Sequence, residues 1–255
     1  MDLFISDLHL CESRPEISQL FFDFIAGPAQ AAQRLTILGD LFEYWAGDDD
    51  IGNPLHAKLC AALKSLATRG VDIRFLAGNR DFLIGNDFAV ATGASLLPEL
   101  HLDTVSGIPT LLLHGDTLCS DDVAYQNYRR QVRDPAFIEN FLRRSLIERK
   151  TYIENLRERS ESEKRVKNMA IMDVNDDAVR AAFRAAGVTR MIHGHTHRLA
   201  THRYTIDGKA CERWVLGDWG ITGNFLECGA TRWRFCSWDG RQATALDSIT
   251  LTTEI

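Results

Sequence analysis

Short apolar runs recur along the chain, and each breaks off into a polar cluster. Residues 3–6 (LFIS) lead into Asp7-Leu8-His9, and residues 35–38 (LTIL) into Gly39-Asp40. Residues 73–77 (IRFLA) lead into Gly78-Asn79-Arg80-Asp81, residues 110–113 (TLLL) into His114-Gly115-Asp116, and Met191-Ile192 into His193-Gly194-His195. Runs of this kind predict strands buried on both faces. Between them, residues 17–26, 55–67 and 177–186 read as helices. Strands alternating with helices predict an α/β layer architecture. In that class, sites form beyond the carboxyl ends of strands, so all five clusters are placed to converge.

Two regions break the rhythm. Residues 121–167 are helical in pattern, with Phe137, Ile138, Phe141, Leu142 and Ile147 at helical spacing. This segment holds 12 Lys and Arg against 9 acids, whereas the whole chain has a net charge of −6. It reads either as a helical pair with a solvated basic face or as an inserted cap that meets an anionic or lipidic ligand. After Arg198, residues 201–206, 212–216 and 231–237 read as strands joined by glycine-containing turns. They predict a second, more antiparallel sheet.

At 255 residues the chain is long enough to bury a large core without staples. Its acidic balance argues against general nucleic-acid binding. Six cysteines without a CxxC pair read as reduced thiols rather than as a disulfide frame or thiolate metal site. The start, MDLFISDLHL, has no basic leader region, and no apolar run reaches the roughly 18 residues of a membrane span. The expectation is a cytoplasmic protein whose membrane contact is at most peripheral.

Each polar cluster alone has an ordinary explanation. An Asp after a strand is often a turn residue, Asp81 can cap a helix, and a buried His is usually hydrogen-bonded. Together, Asp7, His9, Asp40, Asn79, His114, His195 and His197 form seven oxygen and nitrogen donors, each beyond an apolar run. Carboxylate and imidazole without thiolate favour borderline-hard divalent ions such as Mn²⁺, Fe²⁺ or Zn²⁺. Seven donors exceed one zinc-type site. They suit two ions roughly 3.5–4 Å apart, sharing one carboxylate.

The ordered set DLH, GDL, GNRD, HGD and GHTH resembles the calcineurin-like metallophosphoesterases, dimetal phosphoryl hydrolases built on a two-sheet αββα sandwich. The resemblance implies that Asp7, His9, Asp40 and His197 hold a first metal, and that Asp40, Asn79, His114 and His195 hold a second, with Asp40 bridging. His193 falls outside the motif. It is assigned a structural or supporting role.

The wider context (ISDLHLCE, LGDLFEYWAGDDD, GNRDFL, LHGDTLCSDD, AIMDVN and IHGHTHR) is similar to the UDP-2,3-diacylglucosamine pyrophosphohydrolase family of lipid A biosynthesis. That resemblance implies two Mn²⁺ ions and attack of a metal-activated hydroxide at the α-phosphorus of the UDP sugar lipid. The products would be UMP and 2,3-diacylglucosamine 1-phosphate. Catalytic roles fall to Arg80, His195 and Asp40; substrate contacts fall to Asn79, Arg80, Asp122, Ser160, Lys164, Lys167 and His195. It further implies a core of residues 1–120 and 168–255, a helical cap of residues 121–167, and a monomer held peripherally on the cytoplasmic face of the inner membrane. Phe137, Phe141, Leu142 and Leu146 would line an acyl groove in the cap. Other dimetal phosphoesterases and a non-catalytic scaffold are the competing readings.

Overall fold

The computed structural model describes the backbone of residues 1–164 and 173–250 and the side chains of residues 1–157 and 173–246. Strands β1 (Asp2–Ile5), β2 (Arg34–Ile37), β3 (Asp72–Leu76) and β4 (Ser95–Leu97) lie parallel in one sheet. Helices α1 (Pro15–Ala26), α2 (Pro54–Thr68) and α3 (Asn86–Thr92) connect them. A second sheet has the order β5-β6-β7-β9-β8, from β5 (Leu100–Val105), β6 (Ile108–Leu113), β7 (Arg190–His193), β8 (Ala200–Ile206) and β9 (Lys209–Val215). Helices α4 (Val123–Val132), α5 (Pro135–Leu142), α6 (Leu146–Lys164) and α7 (Asp176–Ala186) fall between β6 and β7. The chain then returns to the first sheet as β10 (Gly223–Cys228), β11 (Arg232–Trp238) and β12 (Ala243–Thr250).

The apolar runs are unbroken because successive side chains point to opposite faces and both faces are covered. On β1, Leu3 and Ile5 pack under the helices of the first sheet, while Phe4 enters the layer between the sheets. On β6, Leu112 enters that middle layer, while Leu111 and Leu113 meet Val179 and Phe183 of α7. Trp214 of β9 and Trp233 of β11 meet across the middle layer with ring centroids 5.6 Å apart. The result is the helix–sheet–sheet–helix sandwich.

The expected second antiparallel sheet is corrected. β8 and β9 join β5–β7, and β10–β12 extend the first sheet. The Asp207-Gly208 turn, with both residues at positive φ, folds β8 back onto β9. That reversal leaves β9 parallel to β7. Alternation reports which face is wet, not which strand is the neighbour. The expected helical pair is also corrected. The described part of residues 121–164 holds three helices, because Asp134 caps Ala136 and Phe137 N–H and starts α5 at Pro135. All six cysteines are free thiols. No helix among the described residues is long and apolar enough to cross a membrane.

Candidate metal centre

Parallel pairing sends β1, β2, β3, β6, β7 and β9 towards one edge of the sandwich. The chain then turns sharply at the residues singled out in the sequence. Asp7, His9, Asp40, His195 and His197 all have φ between 50° and 67°. Backbone in this left-handed region costs on the order of 1–3 kcal/mol per residue and persists only where the surroundings over-determine it. Here the loops lock one another: Asp7 N–H donates to Gly39 O at 3.1 Å, His9 N–H to Asp40 O at 3.0 Å, and Gly194 N–H to His114 O at 2.8 Å. Two glycines of the motifs permit the approach. A Cβ at Gly78 would stand 2.2 Å from Asp40 Oδ1, and one at Gly194 would stand 2.1 Å from Asp7 Oδ2.

The carboxylates and imidazoles are oriented one by one. Asp7 Oδ2 accepts from Ser6 Oγ at 2.6 Å and from His195 N–H at 2.8 Å, which joins the two sheets. Asp7 Oδ1 is buried without a hydrogen bond and lies 3.3 Å from His197 Nε2 in an ion pair. His9 Nε2 and His197 Nε2 face each other at 3.3 Å. His114 Nδ1 lies 2.8 Å from Leu38 O, leaving Nε2 3.0 Å from Asn79 Oδ1 and 3.6 Å from Asp40 Oδ1. A backbone carbonyl on one ring nitrogen fixes the tautomer and offers the other nitrogen to a cation.

Among the described residues, two groups have donor atoms all within 4.8 Å of one another: Asp7, His9 and His197, and Asp7, Asp40 and His114. Asp7 is common to both groups; Asp40 belongs to the second. The His195 ring stands edge-on to that of His114, with centroids 5.0 Å apart. All seven sequence-derived donors therefore gather at one edge.

The electrostatics describe a centre short of positive charge. Burial foremost pushes Asp40 up to about 7, with Asp81 and Asp7 adding to the rise. Burial opposes protonation of His114, but Asp40, Asp7 and Asp116 outweigh it and raise the imidazole to about 9. Burial also works against ionised Asp7, yet His197, His114 and His9 hold it well below the usual carboxylate range. Burial lowers His9 and His195 to about 3, so both rings stay neutral and free to ligate. Buried carboxylates, neutral imidazoles and an orphaned Asp7 oxygen fit divalent cations well.

The remaining predicted residues divide. Arg80 donates its N–H to Asp40 Oδ1 at 2.9 Å, and its guanidinium lies 3.6 Å from Glu43. Asp122 is buried and caps α4 through Tyr125 N–H at 3.0 Å. The side chains of Ser160 and Lys164, and the whole of Lys167, lie outside the described residues. His193 is buried and belongs to neither donor group; it lies between Arg213 Nη1 at 3.0 Å and Gly194 O at 2.8 Å.

The supporting roles of three residues escaped the sequence reading, and Asp81, offered there as a helix cap, caps no helix because α3 begins beyond it at Asn86. Asp81 accepts from the N–H groups of Gly78 and Leu41 at 2.8 Å and ties two motif loops together. Asp116 accepts from Tyr125 Oη at 2.9 Å and Arg129 Nε at 2.6 Å, which holds α4 to the centre. Asp218 lies 3.6 Å from His197 Nδ1. Its signal was present: Gly217-Asp218 follows the apolar run of β9 just as Gly39-Asp40 follows that of β2.

The family model described as calcineurin-like phosphoesterase matches residues 3–199. A relative from Aromatoleum aromaticum named UDP-2,3-diacylglucosamine hydrolase is 50% identical over 238 residues, covering 93% of each chain. One of the same name from Edwardsiella ictaluri is 47% identical, covering 89% of this chain and 88% of its own. Another from Escherichia coli is 45% identical, covering 89% and 95%. The chain thus belongs to the calcineurin-like phosphoesterases and, within them, to the family of the UDP-2,3-diacylglucosamine hydrolases.

Proposed function

We propose that this protein hydrolyses the pyrophosphate bond of UDP-2,3-diacylglucosamine at the α-phosphorus, giving UMP and 2,3-diacylglucosamine 1-phosphate. The carrying observation is 45–50% identity to hydrolases of that name along nearly the whole chain. The donor groups gathered at the strand ends support it.

Two Mn²⁺ ions are the proposed cofactors. By the motif resemblance, Asp7, His9, Asp40 and His197 would hold one and Asp40, Asn79, His114 and His195 the other, with Asp40 common to both; in the geometry it is Asp7 whose oxygens reach both donor groups. Bound there, such a pair would lower the pKa of a water toward neutrality and offset charge on the phosphoryl oxygens. The chain does the rest. Leu38 O at His114 Nδ1 and Asp218 near His197 Nδ1 orient the two rings and would leave each Nε2 for a cation. By the resemblance, Asn79 and His195 would meet the phosphoryl group. Arg80, always charged and two-pronged, neutralises the charge that grows there.

Helices α4–α6 form the cap, within a proposed insertion of residues 121–167. Of the residues expected to line an acyl groove, Phe141 is instead buried and packs with Phe137 on the core of the first sheet, while Leu142 is 39% exposed; with Val123 at 63% and Ile147 at 78% it offers an apolar surface fit for acyl chains. Basic neighbours there suit an anionic membrane surface. The working form is a monomer held peripherally at the cytoplasmic face of the inner membrane. Asp122, Ser160, Lys164 and Lys167 complete the substrate contacts.

Diacylated UDP-glucosamine incubated with and without Mn²⁺ in ¹⁸O-water tests the reading. Mn²⁺-dependent cleavage with the label in UMP is expected. Label in the lipid phosphate, or cleavage of a simple diester alone, overturns it.

A further inference from the structure

The run Gly47-Asp48-Asp49-Asp50 sets three acids in a row, and the hydrolytic chemistry uses none of them. Each carboxylate has its own partner. Asp48 accepts from the Trp45 indole at 3.0 Å and from the N–H groups of Gly85, Asp87 and Phe88, which secures the start of α3. Asp49 and Asp50 instead meet α6. Asp49 pairs with Arg149, and Asp50 accepts from Lys150 at 2.7 Å.

Arg149 is 2% exposed, a depth at which a guanidinium is tolerated only with its donors met. Besides Asp49 it donates to Ala46 O, and its Nε donates to Arg144 O at 3.2 Å. Gly47 makes the space. Its φ is 136°, and a Cβ there would stand 2.2 Å from Arg149 Nη1. The contact continues along the helix, with Tyr44 Oη 3.4 Å from Glu154 and Arg157 donating to Glu43 at 2.7 Å. Glu43 is the same carboxylate that stands 3.6 Å from Arg80. Residues 43–50 therefore touch both α6 and the guanidinium beside the donor cluster.

We propose that residues 43–50 are the seat of α6 and that Arg149 is a positioning residue, setting where the helix stands over the centre and so how tightly the diacylated substrate is held. The seat follows from the contacts alone; its effect on substrate rests on the cap reading given under Proposed function. Arg149 touches no reacting atom. Its loss therefore raises KM for the lipid rather than slowing the chemical step.

Three variants test this in the metal-loaded full chain. Arg149→Met removes the charge. Gly47→Ala keeps every charge but displaces the same guanidinium. Asp49→Asn weakens one contact and carries the test, with Gly47→Ala, if Arg149→Met does not fold. Steady-state kinetics on diacylated UDP-glucosamine and on bis(p-nitrophenyl) phosphate are read beside metal content and hydrogen exchange of residues 146–157. A KM for the lipid raised on the order of tenfold is expected, with kcat and diester hydrolysis within about twofold. Exchange along α6 should quicken at unchanged metal content, and Arg149→Lys should recover part of the affinity. Equal loss on both substrates overturns the proposal by making Arg149 a general support of the core. Folded variants with wild-type KM and wild-type exchange also overturn it. If the wild type ignores the lipid but cleaves the diester, the substrate reading fails; quickened exchange then still supports the seat, and unchanged exchange overturns it.

Discussion

Asp40 shows how much one residue is asked to do. It sits at φ 52°, its Oδ1 accepts the Arg80 N–H, and its carboxyl is raised to about 7 among other buried acids. A carboxyl in that position is ionised comfortably only beside a cation. Asp40→Ala is therefore expected to lose bound metal together with activity, and metal analysis of the purified variant checks it. Arg80 makes the opposite case. Its N–H serves the loop, and alanine keeps that N–H while removing the guanidinium. Arg80→Ala should retain metal and lose on the order of 10²-fold in turnover, the cost of removing one preorganised charge partner. Unchanged turnover would reduce Arg80 to the ion pair with Glu43.

At the scale of elements, the centre is a property of strand ends. β1, β2, β3, β6, β7 and β9 deliver the polar residues, and glycines such as Gly78 and Gly194 let the loops approach more closely than a Cβ allows. β9 belongs to this set by its pairing with β7 and brings Asp218 to the His197 ring. A carboxylate behind a ligating imidazole orients the ring and strengthens its donor nitrogen. Asp218→Ala is expected to weaken metal affinity by about 10–100-fold while the fold stays intact. Metal titration followed by calorimetry, beside a thermal unfolding curve, separates the two effects. The helices α4–α6 are fastened to the same motif loops, α4 through Asp116 and α6 through residues 43–50. These helices and the centre are thus mechanically joined.

For the whole molecule, the buried charges tie stability to pH and to metal. In the metal-free protein His114 is raised to about 9 from an ordinary 6.5, so the folded state binds its proton more tightly than the unfolded chain does. That contribution is full below about 6.5 and disappears as pH rises through 9. Asp40, raised to about 7 from 3.8, acts in the same direction over its own lower window. His9 and His195, lowered to about 3, act oppositely but only below their ordinary 6.5. Urea unfolding in chelator is expected to show stability falling between pH 7 and pH 9. Added Mn²⁺ should release protons on binding and reverse the slope, because its ligands must be unprotonated. A flat profile in chelator would contradict the protonated His114. Most of this centre was legible in the chain itself. Apolar runs ending in Asp, Asn and His mark buried strands and their carboxyl ends, because strand length and two-sided burial are local properties of sequence. The DLH, GDL, GNRD, HGD and GHTH order carried the donor set by resemblance. Strand partnership was not legible: β8–β12 alternate in the same way whichever sheet they join, so Asp218 stayed hidden. The roles of Asp81, Asp116 and Arg149 also needed the fold: Asp81 reaches the Leu41 loop and Arg149 reaches Asp49, both far away in sequence, and Asp116 acts only once α4 is seated beside it. Local chemistry wrote the ligands and the strands that carry them; only tertiary packing, by making distant loops share hydrogen bonds and buried charge, decided which residues support them.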